Sequence, residues 1–279
     1  MRLAVVIALA LPFAVLTGPA RADDDAGPRA DVIQYQSDGL SLIGYVYKPA
    51  GAGPFPVYIW SHGSDREPHH GANMAKFFVP RGFVLFAPIR SGHGDNPGSY
   101  IMDEQRRIRD VRSADGFRQV VALHERASDD TVAAYQWIAR QPYADAKRIV
   151  VAGGSFGGIQ VLLTAERDAR EHLGVKCFVA MSPAAQSWRN GNWDGRLSAA
   201  VAAARAPIFL LQAENDYDLA VTEVLGPRID GKGFPNRHKL FPPHGDPNDH
   251  AAGHGGFFSD YSAWGEDMMG YLRDCGALR

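Results

Sequence analysis

The sequence predicts an α/β fold built on a mainly parallel eight-stranded sheet with helices on both faces. Short β-rich apolar runs alternate with helical stretches along the chain. Most of those runs are continuously apolar, as strands buried on both faces must be. No repeat, low-complexity tract or long linker interrupts the alternation. A chain of 279 residues is long enough to close around one large core. Its composition, 46% hydrophobic and 22% charged, is that of a globular protein and excludes disorder, a collagen-like fibre and a coiled coil. Lys and Arg number 29 against 31 Asp and Glu, so no basic excess points to nucleic acid.

Each element has its own signal. Residues 32–36 and 41–47 alternate polar and apolar side chains and read as an early hairpin. Residues 56–61, 83–88, 148–152, 176–181, 206–212 and 238–241 read as strands. A helix over 129–141 follows from Ser128-Asp129-Asp130 at its start and Val132, Tyr135 and Ile138 at helical spacing. Ile159, Leu162 and Leu163 mark a helix over 156–167, and Trp264, Met268 and Tyr271 mark one over 261–272. His69 and His70 read as the start of a surface helix.

The N-terminus is expected to lie outside this fold. Met1-Arg2 is positive, and residues 3–16 are apolar but too short for a bilayer core of roughly 30 Å. Ala20-Arg21-Ala22 has the small-x-small pattern of a signal-peptidase site. Residues 1–22 therefore read as a cleaved secretory signal and 23–279 as one domain, periplasmic or secreted, with no stable membrane anchor after cleavage. The oligomeric state is left open. The two cysteines, Cys177 and Cys275, are too few for a disulfide-framework protein and form no Cys-x-x-Cys zinc pair. In an oxidising compartment a disulfide between them is open to formation.

In such sheets ligands bind at the carboxyl ends of strands, and the chemistry-bearing motifs fall there. The strand at 148–152 runs into Gly153-Gly154-Ser155-Phe156-Gly157-Gly158, and a helix follows. The bare G-x-S-x-G pattern is weak, but strand, tight turn and helix together are the setting of a nucleophile elbow. The glycines admit a turn too tight for Cβ atoms, and Ser155 is expected to be strained with its hydroxyl presented. A serine needs a base, and the base needs an orienting acid. Asp216, in the loop after the strand at 206–212, is the candidate acid, with Asp218 and Glu214 as rivals. His254, flanked by Gly253 and Gly255 ahead of the last helix, is the candidate base, with His250 next. After the strand at 56–61, Ser61-His62-Gly63-Ser64 suits a loop that aims a backbone N–H at a developing oxyanion. The expected donors are the N–H groups of Ser64 and Phe156. His62 itself reads as structural. His244, Asp246, Asp249 and His250 match no metal-ligand spacing, so neither a metal nor a cofactor is expected.

With these pieces placed, the chain resembles an α/β-hydrolase, in particular the dienelactone hydrolase-like proteins and the catalytic domain of the prolyl oligopeptidase family. The resemblance runs from about Asp31 to Leu272. It rests on the Ser61–Ser64 loop, on Arg90-Ser91-Gly92-His93-Gly94-Asp95 after the fourth strand, on the Ser155 elbow, and on Gly253-His254-Gly255-Gly256-Phe257 followed by Trp264. It implies acyl transfer through a Ser155–His254–Asp216 triad. Two departures matter. Dienelactone hydrolases in the narrow sense use cysteine where Ser155 stands, and 279 residues leave no room for the prolyl oligopeptidase propeller. The expected substrate is therefore a small carboxylic ester or lactone, with a short peptide as the alternative and an acyltransferase as a third reading. A binding protein on this fold would typically lack a triad member, and all three candidates are present. Trp188, Trp193 and Tyr217 are candidate pocket residues. Residues 100–126 and 182–196 either roof the site or, respectively, form a solvated helix face and ordinary core.

Overall fold

The computed structural model describes residues 27–279. The expected signal segment, residues 1–22, lies outside the described residues. The chain alternates β1 (Ala30–Ser37), β2 (Leu40–Tyr47), β3 (Phe55–Ser61), α1 (Ala72–Phe78), β4 (Val84–Pro88), α2 (Ile101–Arg106), α3 (Ala114–Ile138), β5 (Ala144–Gly154), α4 (Phe156–Glu171), β6 (Cys177–Met181), α5 (Trp193–Ala203), β7 (Ile208–Ala213), α6 (Ala220–Asp230), β8 (Arg237–Phe241), the single turn α7 (Phe257–Ser259) and α8 (Tyr261–Asp274). All eight strands join one sheet in the order β1-β2-β4-β3-β5-β6-β7-β8. The pairs β1/β2 and β2/β4 are antiparallel and the rest are parallel. The β1–β2 hairpin turns on Asp38 and Gly39, both at positive φ (45° and 75°), the two-residue turn whose twist matches its strands.

Strand periodicity divides the core into two layers. On β3, Val57 and Ile59 face one layer while Tyr58 and Trp60 face the other; on β5, Ile149 and Val151 oppose Val150 and Ala152. The first layer packs under α3, α4, α5 and α6, and the second under α1 and α8. The parallel strands from β3 to β7 end at one rim, and the candidate residues follow the carboxyl ends of β3, β5 and, one strand beyond β6, β7.

The strands fall where the sequence places them; the helices differ more. The helix expected over 129–141 is the C-terminal half of α3, which begins at Ala114 with Ser113 Oγ accepting from Gly116 N at 3.0 Å. Its buried stripe carries His124, Ser128, Asp130 and Thr131 among Phe117, Val120, Val132 and Tyr135, so polar residues hide the apolar period. The charged stretch 100–126 is α2 plus the first half of α3, with exposed pairs such as Arg106–Asp103 and Arg118–Asp115. The helix expected at His69-His70 starts at Ala72 and buries Met74, Ala75, Phe77 and Phe78, so it is not a surface helix. Its N-cap is Gly71 at φ 81°, where an added Cβ would stand 2.7 Å from the Ala87 side chain.

Cys177 on β6 and Cys275 at the end of α8 are joined as a disulfide, with Cα atoms 6.3 Å apart at a sequence separation of 98. It ties the last helix to the middle of the sheet. Closing so long a loop in the unfolded chain is stabilising, so Cys275→Ser should lower unfolding free energy by about 2–4 kcal/mol. Guanidinium denaturation of oxidised protein measures this, and an unchanged midpoint would contradict it.

Candidate active site

β5 ends at Gly154 and α4 begins at Phe156, so the whole turn is Ser155. Its backbone lies at φ 56°, ψ −116°, a conformation L-residues rarely adopt. The cause is the approach of α4 to the end of β3. A Cβ on Gly157 would lie 2.0 Å from the Ser61 carbonyl oxygen, and one on Gly153 would lie 2.7 Å from that same atom. Only glycine fits at either position. Ser155 N–H donates to Met181 O at 2.9 Å, which pins the turn to β6.

His254 sits in a π-helical turn, Ala252–Gly256, and is buried. Its Nδ1 lies 2.8 Å from Asp216 Oδ1. The Asp216 side chain is fully buried and also accepts from Tyr217 N (2.6 Å) and Gln212 Nε2 (3.1 Å). Three donors thus converge on this one buried carboxyl. The network therefore places the histidine proton on Nδ1 and leaves Nε2 as the acceptor. That Nε2 is buried and has no hydrogen-bond partner, so the Ser155–His254 hydrogen bond is not closed in this structure. The two are nonetheless linked through Phe258. Its ring lies 4.9 Å from the His254 ring, and a Cβ added to Gly154 would meet it at 2.8 Å.

The rival residues are engaged elsewhere. Asp218 pairs with Arg189 at 2.6 Å and caps Ala220 N, and Glu214 is exposed. His250 Nδ1 contacts Asn215 O at 3.0 Å, and His244 faces Asp260 at 3.7 Å. The carbonyls of His244, Asp246 and Asp249 converge on Asn215 Nδ2 at 2.9–3.0 Å. Asn215 thus holds the histidine loop against the loop that carries Asp216. Gly253 allows this contact, since a Cβ there would lie 2.5 Å from Asn215 O.

The loop after β3 reaches the elbow: a Cβ on Gly63 would lie 3.9 Å from Ser155 Cβ. Phe156, the first residue of α4, has an N–H with no partner inside its helix. His62 is buried; burial first, then the charge of Arg90, push its pKa well below the usual value. Its ring contacts Gly63 O and the Arg90 backbone, a structural setting.

The pocket expectation needs correction. Trp193 is fully buried with its ring edge-on to Phe117 and His124, and Trp188 belongs to the same core layer. Neither forms an open wall, because α5 and the turn before it fill the space above α4. Tyr217 is 43% exposed and stands against His254 at 5.4 Å, so of the three it alone opens to solvent beside the site. Sequence reasoning missed Gln212 and Asn215. Gln212 is fixed by donating to Asp216 and by accepting from Thr222 Oγ1 at 2.8 Å. The signal was there: a glutamine closing the apolar run Phe209-Leu210-Leu211 needs a buried partner.

Comparison with known proteins shows the fold. A family model described as "alpha/beta hydrolase fold" matches residues 124–220, about a third of the chain. No curated protein matches the chain. Among solved structures, a protein described as a dienelactone hydrolase from Klebsiella pneumoniae is similar at TM-score 0.61 and 18% identity, over 88% of this chain and 98% of that one. Esterase 2 of Thermogutta terrifontis is similar at TM-score 0.60 and 19% identity, over 93% and 99%. An acylaminoacyl peptidase of Pyrococcus horikoshii is similar at TM-score 0.59 and 14% identity, over 80% of this chain and 39% of that one.

Together with His62, two further buried histidines near the site make acid stability a readout. Burial, reinforced by Arg90, lowers His93 to about 4 and His124 to about 3. Below about pH 6.5 the unfolded chain binds these protons while the folded chain does not. Stability should therefore fall as pH drops from 6.5 towards 4, by up to about 1.4 kcal/mol per pH unit for each histidine. His93→Gln keeps a donor for Asp65 O and removes one titrating group, so its thermal melting should depend less steeply on pH over that range; an equal slope would contradict the assignment.

Proposed function

We propose that this chain, which has the α/β-hydrolase fold, is a serine hydrolase that cleaves a small carboxylic ester or lactone outside the cytoplasm. The observation that carries the reading is the buried Asp216–His254 pair with Nε2 left unpartnered, joined through Phe258 and Gly154 to the turn on which Ser155 is strained. In the proposed reaction Ser155 Oγ attacks the ester carbonyl carbon while His254 Nε2 takes its proton. The carbonyl oxygen becomes an oxyanion held by the N–H groups of Ser64 and Phe156. The tetrahedral intermediate collapses, the C–O bond breaks, and imidazolium returns the proton to the leaving alkoxide. A water then repeats the sequence on the acyl-enzyme, releasing the acid and regenerating Ser155. Asp216 stays ionised throughout and stabilises the imidazolium. No metal or cofactor enters this route. The signal-like N-terminus and the Cys177–Cys275 pairing both support an oxidising compartment.

A fluorophosphonate needs only an activated serine, so it tests the reading before a substrate is known. Mass spectrometry should locate the adduct on Ser155, and Ser155→Ala and His254→Ala should both abolish it at matched exposure. Folded protein that stays unlabelled, or is labelled equally in Ser155→Ala, would refute the proposal.

Tyr217 supports a preference on the leaving-group side. Its exposed ring beside the base offers an edge or face to an aromatic alcohol, a contact of about 0.5–1.5 kcal/mol. Tyr217→Ala should reduce the kcat/KM ratio of phenyl over ethyl acetate about two- to tenfold; an unchanged ratio would remove Tyr217 from the substrate's surroundings.

A further inference from the structure

The loop that follows β3 is held in an unusual way. Five consecutive carbonyls, from His62 to Arg66, each accept a hydrogen bond from the single turn that follows β4. His62 O accepts from Arg90 Nη1 at 2.7 Å and Gly63 O from Arg90 Nη2 at 2.5 Å. Ser64 O accepts from the Tyr100 hydroxyl at 2.5 Å, Asp65 O is 2.8 Å from His93 Nδ1, and Arg66 O accepts from Gly94 N at 2.8 Å. Gly63 O has a second donor. The Arg90 backbone N–H can only donate, and it lies 3.2 Å from His62 Nε2, so that nitrogen is the acceptor and the His62 proton sits on Nδ1, 2.9 Å from Gly63 O.

Arg90 differs from the other donors in carrying a full charge that no carboxylate among the described residues hydrogen-bonds. It is 2% exposed; beyond the loop carbonyls its guanidinium meets Ser61 Oγ at 3.0 Å, lies 3.0 Å from His62 Nδ1 and faces the Phe156 ring at 5.7 Å. Asp130, the acid with most influence on it, is occupied by Ser37 Oγ, Ser91 N and Ser91 Oγ. Burial brings the guanidinium down to about 10, so it stays protonated at neutral pH. Neutral donors such as Tyr100 suffice to hold a loop. A buried unpaired cation costs solvation that holding the loop does not require.

The peptide plane says what the cation is aimed at. Gly63 C=O and Ser64 N–H belong to one planar trans unit, so fixing the carbonyl towards Arg90 turns that N–H the opposite way. A charged donor on the carbonyl also polarises the N–H at the other end of the unit. Gly63 in turn is the part of this loop beside Ser155.

We propose that Arg90 is the positioning residue of the oxyanion site: from behind the loop it orients and polarises the Gly63–Ser64 peptide unit, whose N–H meets the charge developing on the substrate. This rests on the serine-hydrolase reading. Arg90 touches no substrate, and its effect appears only where the oxyanion forms.

The test uses p-nitrophenyl acetate and an alkyl trifluoromethyl ketone, which forms an oxyanion-bearing hemiketal with an activated serine. In Arg90→Gln, kcat should fall about ten- to a hundredfold with KM within about twofold, and the ketone should bind more weakly by the same factor as kcat. Arg90→Lys, which keeps the charge but loses the fork, should recover part of both. Thermal melting verifies folding. Should neither variant fold, Tyr100→Phe lifts the donor from Ser64 O, and a several-fold fall in kcat at constant KM is expected. Folded Arg90 variants with wild-type kcat and ketone affinity, a loss that appears only in KM, or a Tyr100→Phe protein with unchanged kcat would each overturn the inference. A wild-type protein that neither turns over p-nitrophenyl acetate nor accepts a fluorophosphonate on Ser155 would overturn the site reading as well.

Discussion

The structure of the site depends on one close approach, the first turn of α4 lying against the carbonyl end of β3. Ser61 O occupies the space that a Cβ on Gly157 or Gly153 would need. That contact forces the chain to turn from strand to helix at one residue, and Ser155 takes up the strain at φ 56°. It also fixes where β3 stops. The chain leaving β3 must pass over the elbow, which brings Gly63 to Ser155 and presents the loop's carbonyls to Arg90. Nucleophile and oxyanion loop are thus two consequences of one packing constraint.

The acid–base arm is assembled separately and depends on polar rather than steric fit. Asp216 is held from behind by Gln212 and in front by the Tyr217 amide. The histidine loop is long and contains little regular structure, and Asn215 ties it to the neighbouring turn by its backbone carbonyls. The disulfide between β6 and the end of α8 anchors the helix that follows His254. The cost of burying so many polar groups is met only because nearly every one finds a partner. His254 Nε2 is an exception, and it is the atom the proposed chemistry needs free.

The strands and the site were legible in sequence for different reasons. Parallel strands buried on both faces announce themselves as continuous apolar runs, so β3 to β7 could be read directly. Ser155, His254 and Asp216 were legible because each follows a strand and is flanked by turn residues. The first half of α3 was not, because its buried stripe uses His124, Ser128 and Thr131 where an amphipathic pattern would show apolar residues. Trp188 and Trp193 suit a core as well as a cleft in sequence, and only three-dimensional packing decides: Trp193 stands against Phe117 and His124, and both lie in the same core layer. The roles of Arg90 and Asn215 were invisible because both act on backbone carbonyls distant in sequence, and a hydrogen bond to a carbonyl leaves no trace in the identity of its partner.

The most direct test of the central claim is a crystal structure of the protein after reaction with a fluorophosphonate. The account predicts phosphorus on Ser155 Oγ, with the phosphoryl oxygen about 2.7–3.1 Å from the backbone nitrogens of both Ser64 and Phe156. A phosphoryl oxygen turned to solvent, with those two N–H groups bonded elsewhere, would contradict it.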